Sequence, residues 1–218
     1  MSIADNISKL KEKLPSQVKL IVVSKTRTEE ELMEVYRTGQ RQLGESRVQE
    51  LLPKYEALPK DIEWHLVGHL QTNKVKHIAS FIHMVHSIDS LKLLKQLEKE
   101  AAKHRRVIDC LLQLNIAEEQ SKFGLSFEEA CSLLESSDYK EMKHIRICGL
   151  MGMGTFTEET SQTHKEFRQL HAYFRKIKKK YFPEDEAFCE LSMGMSDDYE
   201  IAIEEGSSMI RVGSAVFR

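Results

Sequence analysis

The chain has 218 residues, 41% hydrophobic and 30% charged, with a formal net charge of −2. That length suits one globular domain over residues 1–218, and the even charge balance gives no pull toward nucleic acid or a membrane surface. No apolar run reaches membrane-span length, residues 1–6 lack a secretory pattern, and Cys110, Cys131, Cys148 and Cys189 are scattered without a Cys-x-x-Cys, which together predict a cytoplasmic protein with reduced thiols.

Ile3, Ile7, Leu10 and Leu14 recur at helical spacing and predict a helix ahead of the first strand. Eight short β-rich runs follow, at 19–24, 41–44, 63–67, 84–88, 107–115, 145–150, 188–191 and 209–212. Leu91, Leu94 and Leu97 mark a helix after the fourth run, with Ser90 at its N-cap. Phe127, Ala130, Cys131 and Leu134 mark another after the fifth, where Ser126 and Glu129 have the spacing of a capping box. Phe167, Leu170, Phe174, Ile177 and Tyr181 form one apolar stripe on a long helix, and the basic run at 175–180 is its wet face. Eight strands alternating with helices predict an α/β protein, a closed (β/α)8 TIM barrel with an extra N-terminal helix. An open doubly wound sheet is the alternative, although no Gly-x-Gly-x-x-Gly follows any strand.

Such barrels carry their sites at the C-terminal strand ends, often with a phosphate between the loops after strands 7 and 8. The stretch LIVVSKTRT puts Lys25 where the first strand leaves the core. A lysine held there can lose its proton and attack a carbonyl, or it can simply face solvent. The seventh run leads into Ser192-Met193-Gly194-Met195-Ser196-Asp197-Asp198 and the eighth into Arg211-Val212-Gly213-Ser214, hydroxyls and glycines whose N–H groups can close on phosphate oxygens. Ser196 also fits as the N-cap of the next helix, with Asp197 and Asp198 complementing its dipole. A phosphate cradle beside a strand-end lysine suits a phosphorylated aldehyde bound as a Schiff base. Pyridoxal 5′-phosphate (PLP) is the commonest such molecule, and a cofactor-free phosphosugar aldolase would use similar parts.

Arg211 alternates with Ile210 and Val212, so it faces the barrel interior if they face the helices. An inward arginine needs an acceptor. The pyridine nitrogen of PLP is one, and a guanidinium beside it would keep it unprotonated and weaken it as an electron sink. A salt bridge to Glu204 or Glu205 is the plainer use. His65 and His69 flank the third strand and His83 and His86 the fourth, but nothing in their spacing makes them converge, so no metal site is expected. His69, at a strand's C-terminal end, is placed near the site.

The chain carries a set of family motifs. The matching stretches are Val23-Ser24-Lys25-Thr26, Leu43-Gly44-Glu45 with Val48-Gln49-Glu50, residues 64–74 (WHLVGHLQTNK), His86-Ser87-Ile88-Asp89 and Ser121-Lys122-Phe123-Gly124. Gly149-Leu150-Met151, residues 191–198 and Arg211-Val212-Gly213-Ser214 complete the set. Through them the chain resembles, from end to end, the pyridoxal phosphate homeostasis protein family (the YggS type).

The resemblance implies a fold-type III barrel like the N-terminal domain of alanine racemase. It implies PLP held as an internal aldimine on Lys25, with Ser192, Gly213 and Ser214 at the phosphate and Arg211 near the ring. The implied role is vitamin B6 and amino-acid homeostasis without established turnover, by a monomer whose partners are PLP and PLP-dependent apo-enzymes. An amino-acid racemase is the competing reading. In alanine racemase a tyrosine from a separate β-domain supplies the second acid/base, and no such domain is expected after the eighth strand here, so no racemisation is expected. Thr28 stands where the family usually has proline, and Ser46-Arg47 replaces Asn-Tyr. The sequence stops at Phe217-Arg218, and the last helix is expected to be missing.

Overall fold

The protein is described by a computed structural model that covers residues 2–117 and 123–218. Its strands are β1 (Lys19–Val23), β2 (Gln42–Glu45), β3 (Glu63–Leu66), β4 (Met84–Ile88), β5 (Ile108–Gln113), β6 (Ile145–Met151), β7 (Glu190–Ser192) and β8 (Met209–Val212). They pair in parallel in chain order, and β8 pairs with β1 to close the barrel, Ile21 opposite Arg211. The helices are α1 (Ile3–Lys13), α2 (Glu29–Arg37), α3 (Val48–Ala57), α4 (Val75–Ile78), α5 (Leu91–Lys103), α6 (Phe127–Glu135), α7 (Ser137–Lys140), α8 (Thr160–Tyr181), α9 (Tyr199–Glu204) and α10 (Ser214–Phe217). The expected barrel is thus present, and no open sheet edge remains.

All eight expected strands form, most with ends shifted: the second, sixth and seventh run one residue further than expected, and the first, third and fifth stop short. Val107 is exposed and stays outside β5. Phe188 stays outside the seventh strand because its N–H closes a turn on the Asp185 carbonyl (3.3 Å), and its ring stacks on those of Phe174 and Phe182. The strands are apolar because parallel strands are covered on both faces. The main core lies between the barrel and its helices, and a small apolar cluster of Met84, Leu111, Cys148, Met151 and Met209 fills part of the barrel interior.

Local chemistry sets the helix starts. Ser126 and Glu129 form the expected capping box at α6. Thr28, the departure from proline, accepts the N–H of Glu31 and so N-caps α2, a bond a proline side chain cannot make. The helix expected to be missing after β8 is present as the single turn α10. Asn6 on α1 tethers it, donating from Nδ2 to the carbonyls of Val216 (3.0 Å) and Arg218 (2.8 Å). Among the described residues no helix is long and apolar enough to cross a membrane.

Candidate functional site

Lys25 is exposed on the turn directly after β1. The N–H of Arg27 closes that turn on the Ser24 carbonyl (3.1 Å), and Thr26 sits at φ 64°. A β-branched residue in the left-handed region costs on the order of 1–3 kcal/mol, so it persists only where its surroundings enforce it. Here they do. Glu50 accepts the Thr26 N–H (3.2 Å), and Ser24 is clamped from three directions. Its N–H donates to Gly44 O (2.8 Å), its hydroxyl to Glu45 Oε1 (2.7 Å), and its carbonyl accepts from Lys54 Nζ (2.7 Å). Lys54 reaches in from α3 to form an ion pair with Glu45, whose side chain is wholly buried. The base beneath Lys25 is therefore rigid and charged.

Gly213 lies against the strand that ends in Lys25: a methyl group on it would sit 3.1 Å from the Val23 carbonyl oxygen. The N–H groups of Gly213 and Ala215 both point at Ser196 Oγ, at 3.3 and 3.4 Å. Ser196 is carried there by the β7–α9 loop, which bends at Gly194 (φ 94°) where any Cβ would strike the Ala202 side chain at 2.6 Å. Asp198 pins the same loop by accepting the Met195 N–H (2.5 Å). Ser196 does not cap α9 as expected, because Asp198 occupies the N-cap and Ser196 turns toward the β8 loop instead. Ser214 is half-buried beside Gly213.

Arg211 points into the barrel and is buried. Its Nη1 donates to Ser192 Oγ (2.7 Å) and its Nη2 to Gly152 O (3.0 Å). Burial pushes the guanidinium down to about 10, with the Asp198 carboxylate acting in the opposite direction. The salt bridge to Glu204 or Glu205 does not form: Glu205 binds His164 and Arg168, and Glu204 faces His164.

Ser192 closes β7 and is fully buried. Its hydroxyl is fully buried between Arg211 and His86 Nδ1 (3.0 Å), and His86 Nε2 in turn lies 2.9 Å from His65 Nδ1. Burial, reinforced by His83 and Lys19, lowers His65 to about 3, and burial with the nearby His65 and Arg211 holds His86 well below the usual range. This polar column through the barrel was not legible in the sequence, since its members are far apart along the chain. His69 does reach the C-terminal mouth, with Nδ1 3.1 Å from Asp89 Oδ2 and its ring against Phe123. Ser121 and Lys122 lie outside the described residues.

A closed parallel barrel with a clamped lysine after β1, a Gly-Ser turn after β8 and an inward arginine between them defines the class of alanine racemase-like barrels. The sequence profile described as alanine racemase, N-terminal domain, matches residues 1–218. The pyridoxal phosphate homeostasis protein of Aquifex aeolicus is 38% identical over 200 residues, covering 91% of this chain and 86% of the relative. That of Escherichia coli K12 is 32% identical and covers 99% and 95%. The PipY protein of Synechococcus elongatus PCC7942, solved with PLP bound, superposes with a TM-score of 0.90 at 32% identity over the whole of both chains. Alanine racemase of Clostridium difficile shares the fold alone, with a TM-score of 0.79 at 10% identity over 99% of this chain and 59% of that one. The chain belongs to the alanine racemase N-terminal domain family and, within it, to the pyridoxal phosphate homeostasis proteins.

Proposed function

We propose that this chain binds PLP at the C-terminal mouth of the barrel and serves vitamin B6 and amino-acid homeostasis without turning over a substrate. PLP brings an aldehyde that bonds an amine and a pyridine ring that can draw electrons. Lys25 Nζ is the amine, and its rigid turn positions it. The N–H groups of Gly213 and Ala215 with the hydroxyls of Ser196 and Ser214 receive the phosphate. The two N–H groups already converge on one oxygen, Ser196 Oγ, which is the arrangement a phosphate oxygen needs. Ser192 is assigned to holding Arg211 rather than to the phosphate, because its hydroxyl is buried between Arg211 and His86.

One observation carries the reading. Arg211 is a buried cation on β8 with a hydroxyl and a carbonyl as acceptors and, among the described residues, no carboxylate in contact. A guanidinium so placed, donating to the ring nitrogen, leaves the ring a poor electron sink, which supports binding over catalysis. We assign the protein to the cytoplasm as a monomer, with PLP-dependent apo-enzymes as the recipients of its cofactor. The absorbance spectrum of the purified protein tests the proposal. A visible band that appears with PLP and is missing in Lys25→Ala supports it, whereas a colourless wild-type protein at saturating PLP refutes it.

A further inference from the structure

The N-terminal end of the barrel, opposite Lys25, opens into a cavity of about 400 Å³ lined by the first residues of the strands. Two cations lie there, and each has its own acid: Lys19 pairs with Glu190, and Arg146 pairs with Asp109 at 2.7 Å. Glu63 is the acid left over. Its carboxylate accepts from Gln42 Nε2 and has no cation in contact among the described residues. Three strands away from Arg146, His65 shows the same cavity a buried imidazole nitrogen, Nε2, that has no hydrogen-bond partner among the described residues. An orphaned polar atom in a residue only 2% exposed is costly and calls for a ligand. His83, exposed at the start of β4, brings its ring to 5.2 Å from that of His65. One ligand atom from each of Glu63, His65 and His83 falls within 4.8 Å of the others. The sequence spacing of these histidines did not suggest convergence. Parallel strand pairing produces it, by setting β3 beside β4.

We propose that Glu63, His65 and His83 bind a divalent transition-metal ion of the zinc class at the N-terminal mouth of the barrel. Two imidazole nitrogens and one carboxylate oxygen, with water in the fourth position, form an open tetrahedral set that selects zinc-like ions over the oxygen-seeking magnesium and calcium. Bonds of about 2.0–2.2 Å put tetrahedral ligands roughly 3.3–3.5 Å apart, so the set closes by rotation of the exposed His83 side chain. The outer shell is already in place. A metal-ligating histidine ordinarily engages its second nitrogen elsewhere, and His65 Nδ1 lies 2.9 Å from His86 Nε2 while Gln42 holds Glu63. With metal on Nε2, His65 must carry its proton on Nδ1 and donate to His86, so the ion also orders the column that runs to Ser192 and Arg211.

Titration of the untagged, chelator-stripped protein with Zn2+ by isothermal calorimetry tests this. Wild type should take up one ion per chain, and His83→Ala and Glu63→Gln should each weaken binding at least tenfold. Neither side chain is part of the apolar core, so both variants should keep the wild-type far-ultraviolet spectrum. Zn2+ should raise the thermal midpoint of wild type more than that of either variant. Absence of binding by wild type, or wild-type affinity in either variant, overturns the site.

Discussion

The clamp beneath Lys25 makes a quantitative prediction. In Lys54→Met the side chain keeps its bulk but loses its charge, and two contacts go with it: the ion pair to Glu45 and the bond to the Ser24 carbonyl. Glu45 Oε1 then keeps only the Ser24 hydroxyl, and Oε2 already has no partner. Because the Glu45 side chain is wholly buried, its carboxylate is stranded in a low dielectric. Breaking such a pair by removing one member costs about 3–5 kcal/mol, a large share of the roughly 5–15 kcal/mol that stabilises a typical protein. Urea unfolding followed by far-ultraviolet circular dichroism reads the loss as a lower midpoint at unchanged slope. The double variant Glu45→Gln/Lys54→Met removes the stranded charge and should recover more than half of the deficit. The same single variant should bind PLP more weakly, since the Lys25 turn loses its anchor at Ser24. A loss below about 1 kcal/mol, the size expected of an exposed pair, would show that water reaches Glu45 and that the clamp is not what holds Lys25.

Ser196→Ala and Ser214→Ala each remove a hydroxyl donor to a dianionic phosphate, a bond worth roughly 1.5–3 kcal/mol, so equilibrium titration should show PLP affinity falling about 10- to 150-fold, with reduced preference over unphosphorylated pyridoxal. Ser192→Ala should keep that preference but leave Arg211 Nη1 without its acceptor, costing about 1–3 kcal/mol of unfolding free energy in urea. Burial opposes ionisation of Glu98, but the His144 ring and the N–H groups of Lys143 and His144 outweigh it and hold the carboxyl below its reference value of 4.5. A depressed carboxylate stabilises the fold above its unfolded pKa and loses that contribution as pH falls through the folded one. The difference in urea midpoint between wild type and Glu98→Gln should therefore be present at neutral pH and shrink below about pH 4.5.

What could be read in the sequence was what local periodicity encodes. Eight apolar runs, the Ser126–Glu129 box and the stripe from Phe167 to Tyr181 depend on neighbours within a turn or two, and the structure contains them all. Alternation also offered an inward Arg211, without fixing its partner. Depth inside the barrel was a different matter. Period two sets Arg211 on the face opposite Ile210 and Val212, but the stagger of the strands decides which layer a side chain occupies. That stagger sets Ser192 beside Arg211 and His86, and leaves Ser196 to meet Gly213. The Glu45–Lys54 pair was hidden for a related reason: Lys54 reads as a solvent-facing helical lysine until α3 is docked over the β1 and β2 ends. Glu63, His65 and His83 became neighbours only when adjacent strands were placed side by side.

Lys25 is the residue proposed to bond PLP. Borohydride reduction of the PLP-loaded protein, followed by proteolysis and peptide mapping, addresses it directly. A single pyridoxyl adduct on Lys25 should form in parallel with loss of the visible band. An adduct found mainly on Lys54, Lys74 or Lys122, or an unchanged yield of adduct in Lys25→Ala, would contradict it.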